Sequence, residues 1–410
     1  MVSKIKSIIF ITLICSCQNY SSQDKSVLDK NSISINYSDS LSTEIHQIYG
    51  QDHINGFAIG IVNKESVLYK NGFGYADRKI GKRYTEHSIQ NIASISKTFL
   101  GIALLKAQEM GKLKLDDPAN KYLPFEVINP SHPDKLITIR HLATHTSSIK
   151  DTDFYGDKAY VLKEEVDTSN ISIQLYVDLN PSFTHTSLLT YLKKVLPTNG
   201  EWYKKDGFLK NKPGEIFEYS NVGATLAALV LEMATGKPYD EFSEEFILKP
   251  LKMNSSGWSF SDIDFSKHSK LYKNKNTEIP FYSLITYPDG GLLTSVDDLC
   301  KYLIELINGF DGGGTLLNEK SYKEFFTKQL SPNHFNSNTK ENEGIFLSFT
   351  SEGLIGHSGG DPGVNTHMFF NPKTLVGKIL LVNSEINNQG RQQYDSILSK
   401  MEFYENKLNQ

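Results

Sequence analysis

The sequence predicts an α/β protein of the α+β type, in which helices flank an antiparallel sheet built from both chain ends and a mostly helical region is inserted between the two halves of the sheet. Apolar runs separated by short polar turns occur near both ends, at residues 56–62, 66–69, 366–370 and 377–382. Such runs are typical of paired strands. Between them, residues 98–110 and 222–234 are apolar over several helical turns. We therefore place the sheet at about 41–95 and 285–400 and the helical region at about 96–284.

The composition is that of a chain with a sizeable core. It has 410 residues, of which 39% are hydrophobic and 22% charged, and the formal net charge is -4. Such a chain can hold one large or two interlocked domains. It has neither a basic excess nor a phosphate-binding Gly-x-x-x-x-Gly-Lys-Ser/Thr loop, which argues against nucleic acid and nucleotides as partners.

The N-terminus has the pattern of an export signal. Lys4 and Lys6 precede the apolar run 8–14, which is much shorter than the ~20 residues that span a bilayer. Ser16 and Cys17 follow this run and resemble the end of a bacterial lipoprotein signal, in which the cysteine is lipidated after cleavage. A plain signal peptide with two unpaired cysteines is the alternative.

Residues 1–17 are therefore predicted to be a lipoprotein-type signal, and residues 18–40, rich in Ser, Asn and Asp, a flexible tether. The remaining domain, residues 41–400, is expected to belong to a periplasmic or outer-membrane lipoprotein that touches the membrane through its lipid only. Cys300 is the one cysteine beyond Cys17, so the sequence offers no disulfide framework and no cysteine-based zinc site.

Further elements follow from local patterns. A short helix ending near Tyr49 precedes the first strands, and a C-terminal helix starts at about Gln389. Ser295 is placed to cap the helix that follows it. Residues 188–195 are amphipathic, whereas the rest of 150–210 is polar, aromatic and irregular, which is typical of a long loop on the substrate side of a site.

The clearest chemical signal is a serine and a lysine three residues apart, Ser94 and Lys97, at the start of the apolar helix 98–110. This spacing places both on one face of the first turn, near the positive end of the helix dipole. We predict that Ser94 is a covalent nucleophile and Lys97 its nearest proton acceptor. Spacing alone is weak evidence, because the pattern occurs elsewhere as well, at Ser3, Ser22 and Ser147.

A second cluster, Tyr219 with Asn221, lies on a turn just before the apolar helix 222–234. An ammonium held near a tyrosine can lower the phenol pKa, so we expect Tyr219 to be a usable base near neutrality. The alternative is a tyrosine that only fills the core.

A third cluster, His357-Ser358-Gly359-Gly360, precedes a predicted strand. Paired glycines let a ligand approach the backbone closely, and the Gly360 N–H could join that of Ser94 in an oxyanion hole. A plain turn is the alternative.

A metal site is not expected, and no cofactor is predicted. His141 and His145 lie four residues apart, which places both on one helical face. However, Leu142 stands where a zinc protease carries its glutamate, and no third ligand is placed. We therefore expect helix capping or core hydrogen bonding from these histidines.

Together the three clusters resemble the serine β-lactamase and penicillin-binding protein superfamily, whose Ser-x-x-Lys, Ser-Asp-Asn and Lys-Thr-Gly motifs occur in the same order. The matching segments are Ser94 with Lys97, Tyr219-Ser220-Asn221 and His357-Ser358-Gly359. Tyrosine in the second motif resembles the class C β-lactamase branch, which includes D-alanyl-D-alanine carboxypeptidases, D-aminopeptidases and related esterases. Residues 141–147 and 287–292 also resemble segments of that branch, and the match covers roughly residues 40–385.

The resemblance implies a β-lactamase-like fold and an acyl-enzyme mechanism. In it, Ser94 attacks an acyl carbonyl, and Lys97 and Tyr219 accept and relay its proton. Asn221 orients Lys97 and the substrate amide, His357 lies beside the leaving group or a substrate carboxylate, and water releases the acyl group. The substrate would be a small molecule or peptide with an acyl carbonyl, such as a peptidoglycan-type peptide, an ester or a β-lactam.

Two departures from the family pattern bear on the substrate. His357 replaces the lysine of β-lactamases, and an imidazole is mostly neutral at pH 7, so it grips a β-lactam carboxylate less well. Ser148 stands where relatives usually carry glycine, which affects the shape of the acyl pocket. The sequence thus predicts a monomeric serine hydrolase similar to D-alanyl-D-alanine carboxypeptidases and D-peptidases. A β-lactamase or carboxylesterase is the alternative of the same class, and a non-catalytic peptidoglycan-binding or sensor protein is the alternative of another class.

Overall fold

A computed structural model describes residues 36–164, 175–335 and 340–410. The predicted signal of residues 1–17, including the lipidation site Cys17, lies outside the described residues, as does the tether up to residue 35. These N-terminal features stay predictions. No helix in the described part of the chain combines the length and the apolar character needed to cross a bilayer.

Strands come from both ends of the chain. They are β1 (Gly56–Val62), β2 (Val67–Asp77), β3 (Lys82–Arg83), β4 (Gln90–Asn91), β5 (Tyr160–Leu162), β6 (Leu271–Asn274), β7 (Thr277–Ile279), β8 (Tyr282–Leu284), β9 (Leu293–Thr294), β10 (Asn342–Glu343), β11 (Ser348–Phe349), β12 (Ile355–Asp361), β13 (Val364–Asn371) and β14 (Val376–Val382). Within the described residues, eight of them form one antiparallel sheet in the order β10-β11-β12-β13-β14-β1-β2-β3. The predicted sheet built from both chain ends is therefore confirmed.

Helices cover the sheet and form the inserted region. They are α1 (Tyr37–Tyr49), α2 (Ser96–Glu109), α3 (Ile139–Ala143), α4 (Asp153–Lys158), α5 (Leu188–Val195), α6 (Asn221–Thr235), α7 (Tyr239–Ser243), α8 (Val296–Phe310), α9 (Glu319–Phe325) and α10 (Asn388–Leu408). Ser295 caps α8 by accepting the backbone N–H of Asp298, as its sequence pattern predicts.

The central strand β1 is buried along its whole length because helices cover both faces of the sheet. Phe57, Ile59 and Ile61 alternate along it and pack in the core formed with α1 and α10. The opposite face lies against α8, where a Cβ at Gly60 would stand 2.7 Å from the sulfur of Cys300. Glycine at position 60 therefore lets α8 approach the sheet closely.

Helix α2, which follows the predicted nucleophile, is buried on nearly every side. Phe99 stacks on Tyr302 of α8 with ring centroids 3.8 Å apart. Gly111 then ends the segment with a φ of +68°, a conformation that glycine adopts at little cost. Packing on all sides fixes the N-terminal end of α2, which is where the chemistry is expected.

The described parts of residues 150–210, which are 150–164 and 175–210, contain more structure than their polar composition indicates. Helix α5 forms at the predicted amphipathic segment, but the short strand β5 was not expected. Its three residues are buried and pair with β8, with Tyr160 opposite Leu284. A run of three residues inside a polar segment gives no clear strand pattern, and its partner lies more than a hundred residues away, so only tertiary packing reveals it.

Candidate active site

Ser94 lies on a tight 3-10 turn, Ala93–Ile95, that connects β4 to α2. Ala93 has a φ of +47°, in the left-handed region that residues with a Cβ rarely adopt. Strand β12 packs against this turn so closely that a Cβ at Gly359 would stand 2.7 Å from the carbonyl oxygen of Ile92. Glycine is therefore required at position 359, and the contact holds the Ser94 turn in one place.

Lys97 is completely buried in the first turn of α2, and its ammonium donates three hydrogen bonds. They go to Ser94 Oγ at 3.1 Å, to Asn221 Oδ1 at 2.7 Å and to the backbone carbonyl oxygen of Asp289 at 2.6 Å. The last two partners can only accept, whereas the Ser94 hydroxyl can also donate. When Lys97 is neutral, its lone pair is therefore left facing the Ser94 O–H, which is the proton that it can take.

The resting charge of Lys97 is set by two opposing effects. Burial by itself would lower its pKa, but the interactions with Tyr219, Asp289 and Asp151 outweigh burial, and the pKa of Lys97 is raised. At neutral pH the site therefore holds an ammonium. It must lose a proton before it can accept the one on Ser94.

Tyr219 lies beside this ammonium, with Lys97 Nζ 5.0 Å from the centroid of its ring. The phenol hydroxyl faces Lys97 and Ser94, but within the described residues it makes no hydrogen bond of good geometry. Burial raises the pKa of the phenol, and Lys97 offsets only part of that rise. The predicted lowering of this pKa is therefore wrong, because the sequence suggests the neighbouring charge but not the loss of water. A protonated phenol is suited to give a proton to a leaving atom.

Asn221 is the first residue of α6, and Asp151 fixes the orientation of its amide. The Asp151 carboxylate accepts a hydrogen bond from Asn221 Nδ2 at 2.9 Å, and also from the backbone N–H groups of Asn221 at 3.0 Å and Val222 at 2.9 Å. Because the amide nitrogen faces this carboxylate, the amide oxygen must face Lys97. No sequence pattern marks Asp151, which stands in the irregular segment 150–210, far from Asn221 along the chain.

Replacing Asp151 by asparagine should disturb catalysis through Asn221. The variant keeps the size of the side chain but puts a donor where only acceptors fit, so we expect kcat to fall about tenfold or more with little change in KM. The free energy of unfolding should fall by about 1 kcal/mol, because α6 loses part of its cap. Steady-state kinetics on an activated ester and urea unfolding measure the two effects.

Asp153→Asn is the matched control, since this neighbouring carboxylate is 87% exposed and pairs only with Lys204 among the described residues. An unchanged kcat in Asp151→Asn would remove the positioning role from Asp151.

His357 lies on β12, buried, with its ring 6.3 Å from that of Tyr219. Its Nδ1 faces the carbonyl oxygen of Ser358, which can only accept, so Nδ1 carries the proton and Nε2 a lone pair. Burial, reinforced by Lys97, lowers the pKa of His357 to about 4. The imidazole is therefore neutral at pH 7, as expected, and offers no positive charge to a carboxylate.

A cavity of about 240 Å³ opens beside the nucleophile and is lined by Ser94, Asn221 and Gly360, among others. Gly360 therefore lies beside the same cavity as Ser94, and its role in an oxyanion hole stays a prediction. Ser358 is exposed on β12. Two larger cavities, of about 810 and 630 Å³, are lined by none of the residues predicted for the site.

Two carboxyl groups that were given no role from sequence also line this cavity. Asp289 accepts a hydrogen bond from Tyr155 Oη at 2.9 Å, and Asp361 accepts one from Tyr160 Oη at 2.7 Å. Burial raises the pKa of Asp289 to about 6 and that of Asp361 to about 7. The available signals were position, since Asp361 directly follows Gly360, and the family resemblance of residues 287–292, which include Asp289.

The two histidines of residues 141–147 have structural roles. His141 forms a capping box with Thr138 at the start of α3. His145 is buried, accepts the backbone N–H of Ser220 at 3.2 Å, and packs on the ring of Tyr219 at 4.4 Å. In the described part of the chain, no group of three or more His, Cys, Asp or Glu side chains is arranged to hold a metal ion.

Comparison with known proteins places the chain in a family. The family model described as "Beta-lactamase" matches residues 41–399. Protein flp of Staphylococcus aureus (strain NCTC 8325 / PS 47) is 25% identical over 387 residues, which cover 90% of this chain and 70% of that protein.

Solved structures agree on the fold. The octameric penicillin-binding protein homologue from Pyrococcus abyssi has a TM-score of 0.63 at 24% identity, covering 85% of this chain and 73% of that one. D-amino acid amidase from Ochrobactrum anthropi SV3, complexed with D-phenylalanine, has a TM-score of 0.64 at 20% identity, covering 88% and 99%. With the family model spanning most of its length, the chain belongs to the beta-lactamase family of serine hydrolases.

Proposed function

We propose that this protein hydrolyses amide bonds of D-amino-acid substrates through an acyl-enzyme on Ser94. The observation that carries this proposal is the hydrogen bonding of Lys97. Two of its three partners can only accept, so the neutral amine has one proton to take, that of Ser94.

In the proposed first step, the Ser94 O–H bond breaks, its proton moves to neutral Lys97, and Oγ bonds to the substrate carbonyl carbon. The backbone N–H groups of Ser94 and Gly360 stabilise the oxyanion. The carbon–nitrogen bond then breaks as Tyr219 gives its proton to the leaving nitrogen and receives one from Lys97. The proton of Ser94 has in effect passed to the leaving amine.

Hydrolysis of the acyl-enzyme reverses these transfers. Water attacks the ester carbonyl and gives its proton to the Tyr219 and Lys97 pair, and Ser94 leaves as a hydroxyl when that proton returns to Oγ. The products are a carboxylic acid and the free enzyme.

His357 affects which leaving group the site can accept. Its Nε2 offers a lone pair and no positive charge, so it is suited to accept a hydrogen bond from an N–H group rather than to hold a carboxylate. This favours peptidase or amidase action over a carboxypeptidase or a β-lactamase, whose substrates carry a carboxylate on that side. The structural likeness to a D-amino acid amidase supports the D configuration.

A substrate panel tests the proposal. We expect an N-acylated D-alanyl-D-alaninamide to be cleaved at least as well as the matching D-alanyl-D-alanine with its free carboxylate. We also expect a D-alanyl amide to exceed its L enantiomer in kcat/KM by about tenfold, and nitrocefin to be the poorest substrate.

The alternatives give different rankings. Fastest turnover of nitrocefin would indicate a β-lactamase, and turnover of p-nitrophenyl esters alone a carboxylesterase. If no substrate turns over and no covalent adduct forms, the non-catalytic binding or sensor protein is correct.

A further inference from the structure

The cavity beside Ser94 has an acidic end that the proposed mechanism does not use. Asp289 and Asp361 are 1% and 7% exposed, and the phenol groups of Tyr155, Tyr160 and Tyr176 line the same space. Carboxyl groups are costly to bury unless they are paired or hydrogen-bonded. A carboxylate pair kept in a substrate cavity therefore points to a cationic ligand.

The hydrogen bonding of the two carboxyl groups differs. Both oxygens of Asp289 are occupied, Oδ1 by Tyr155 at 2.9 Å and Oδ2 by Thr225 Oγ1 at 3.0 Å. Asp361 uses Oδ1 for Tyr160. Its Oδ2 receives no hydrogen bond from the described residues and lies against Gly290, where a Cβ would be 3.4 Å away. One acceptor in the cavity is therefore available to a ligand.

Nearby protein charges do not neutralise this oxygen. The groups that interact with Asp361 are the phenols of Tyr155, Tyr160, Tyr176 and Tyr282, the carboxyl of Asp289, and Lys97. Burial raises the pKa of all four phenols, so they are uncharged at neutral pH. The three donors of Lys97 are already used. An ammonium entering the cavity would meet an unpaired carboxylate oxygen and several aromatic rings, both of which favour a cation.

In the proposed mechanism, the cavity faces the acyl side of the scissile bond. Asn221 and Gly360 line it, whereas Tyr219 and His357 do not. In the proposed mechanism Tyr219 protonates the leaving nitrogen, so the leaving group faces Tyr219 and the acyl group extends into the cavity.

We propose that this cavity selects substrates whose acyl group carries a cationic amine, with Oδ2 of Asp361 as the acceptor of the ammonium. Asp289 adds negative charge and, through Tyr155, shapes the wall. This inference rests on the proposed function, because it takes Ser94 as the point of attack.

Matched substrate pairs test the proposal on the full chain. One pair is D-alanine p-nitroanilide and its N-acetyl derivative, which differ in the α-ammonium. The other is N-acetyl-D-lysine and N-acetyl-D-norleucine p-nitroanilide, which differ in a side-chain ammonium. We expect the cationic member of at least one pair to have a KM about tenfold lower. That advantage should be lost in Asp361→Asn and kept in Asp311→Asn, an exposed carboxylate paired with Lys64.

The pH dependence of this substrate preference is a second readout, which a purely structural role of Asp361 would not change. Asp361 must be ionised to hold an ammonium, so the advantage of the lysine substrate over norleucine should grow as pH rises from about 6 to about 8, around the raised pKa of about 7. The Asp361→Asn variant should show no such rise.

A second measurement needs neither turnover nor a folded variant. Propylammonium should slow fluorophosphonate labelling of Ser94 in the parent protein at least tenfold more strongly than propan-1-ol at equal concentration. Labelling of Ser94 with no amine preference in either assay would overturn the inference and leave the serine hydrolase intact. Absence of any Ser94 adduct would instead overturn the proposed function.

Discussion

Ser94→Ala should lose covalent labelling by a fluorophosphonate and by fluorescent penicillin, and its kcat/KM on any substrate of the parent protein should fall about 10⁴-fold or more. The reason is that no other hydroxyl occupies the turn before α2 and contacts the Lys97 ammonium within the described residues. Intact-protein mass spectrometry of the adduct and steady-state kinetics measure both effects.

Ser147→Ala is the matched control, because Ser147 has the same spacing to a lysine, Lys150, in the sequence. Its hydroxyl is buried and accepts the backbone N–H of Ile149 at 3.2 Å, so labelling should survive the change. Labelling that persists in Ser94→Ala would show that another residue is the nucleophile.

Lys97→Met should lower kcat about 10³-fold, while the protein stays folded. Methionine fills a similar volume, but it can neither take the proton of Ser94 nor donate to Asn221 and the carbonyl oxygen of Asp289. Pre-steady-state acylation by an activated ester measures the effect directly, because it isolates the step in which Lys97 acts. Near-ultraviolet circular dichroism verifies the fold.

The pH dependence distinguishes a base from a structural cation. Because the pKa values of Lys97 and Tyr219 are raised, their basic forms become populated only under alkaline conditions, and acylation of the parent by an uncharged ester should accelerate as pH rises above neutrality. Lys97→Met should lose most of this rise. Lys106→Met, at the far end of the same helix, should keep both the rate and the profile. A rise that survives in Lys97→Met would assign the base to another group.

Several features could be predicted because they depend on neighbours in the chain. Ser94 and Lys97 are three residues apart, and Lys97 Nζ lies 3.1 Å from Ser94 Oγ. The 3-10 turn and the start of α2 bring residues at this spacing onto one face. Apolar runs near both chain ends likewise predicted strands of the sheet that both ends build. The order of the three motifs was sufficient to identify the family.

Other features had no local signal. The third acceptor of Lys97 is the backbone carbonyl of Asp289, and every residue has such a carbonyl, so no sequence pattern marks it. Asp151 orients Asn221 from 70 residues away. The direction of the shift in the pKa of Tyr219 was predicted wrongly, because burial raises this pKa by more than the nearby ammonium lowers it.

By itself, the sequence predicted the pairing of Ser94 with Lys97, the family and the outline of the sheet. Tertiary structure alone decided which oxygens surround Lys97, that the phenol of Tyr219 stays protonated, and that Asp289 and Asp361 meet in one cavity. The physical reason is that chain spacing fixes local geometry, whereas desolvation and the choice of hydrogen-bond partner depend on segments that only folding brings together.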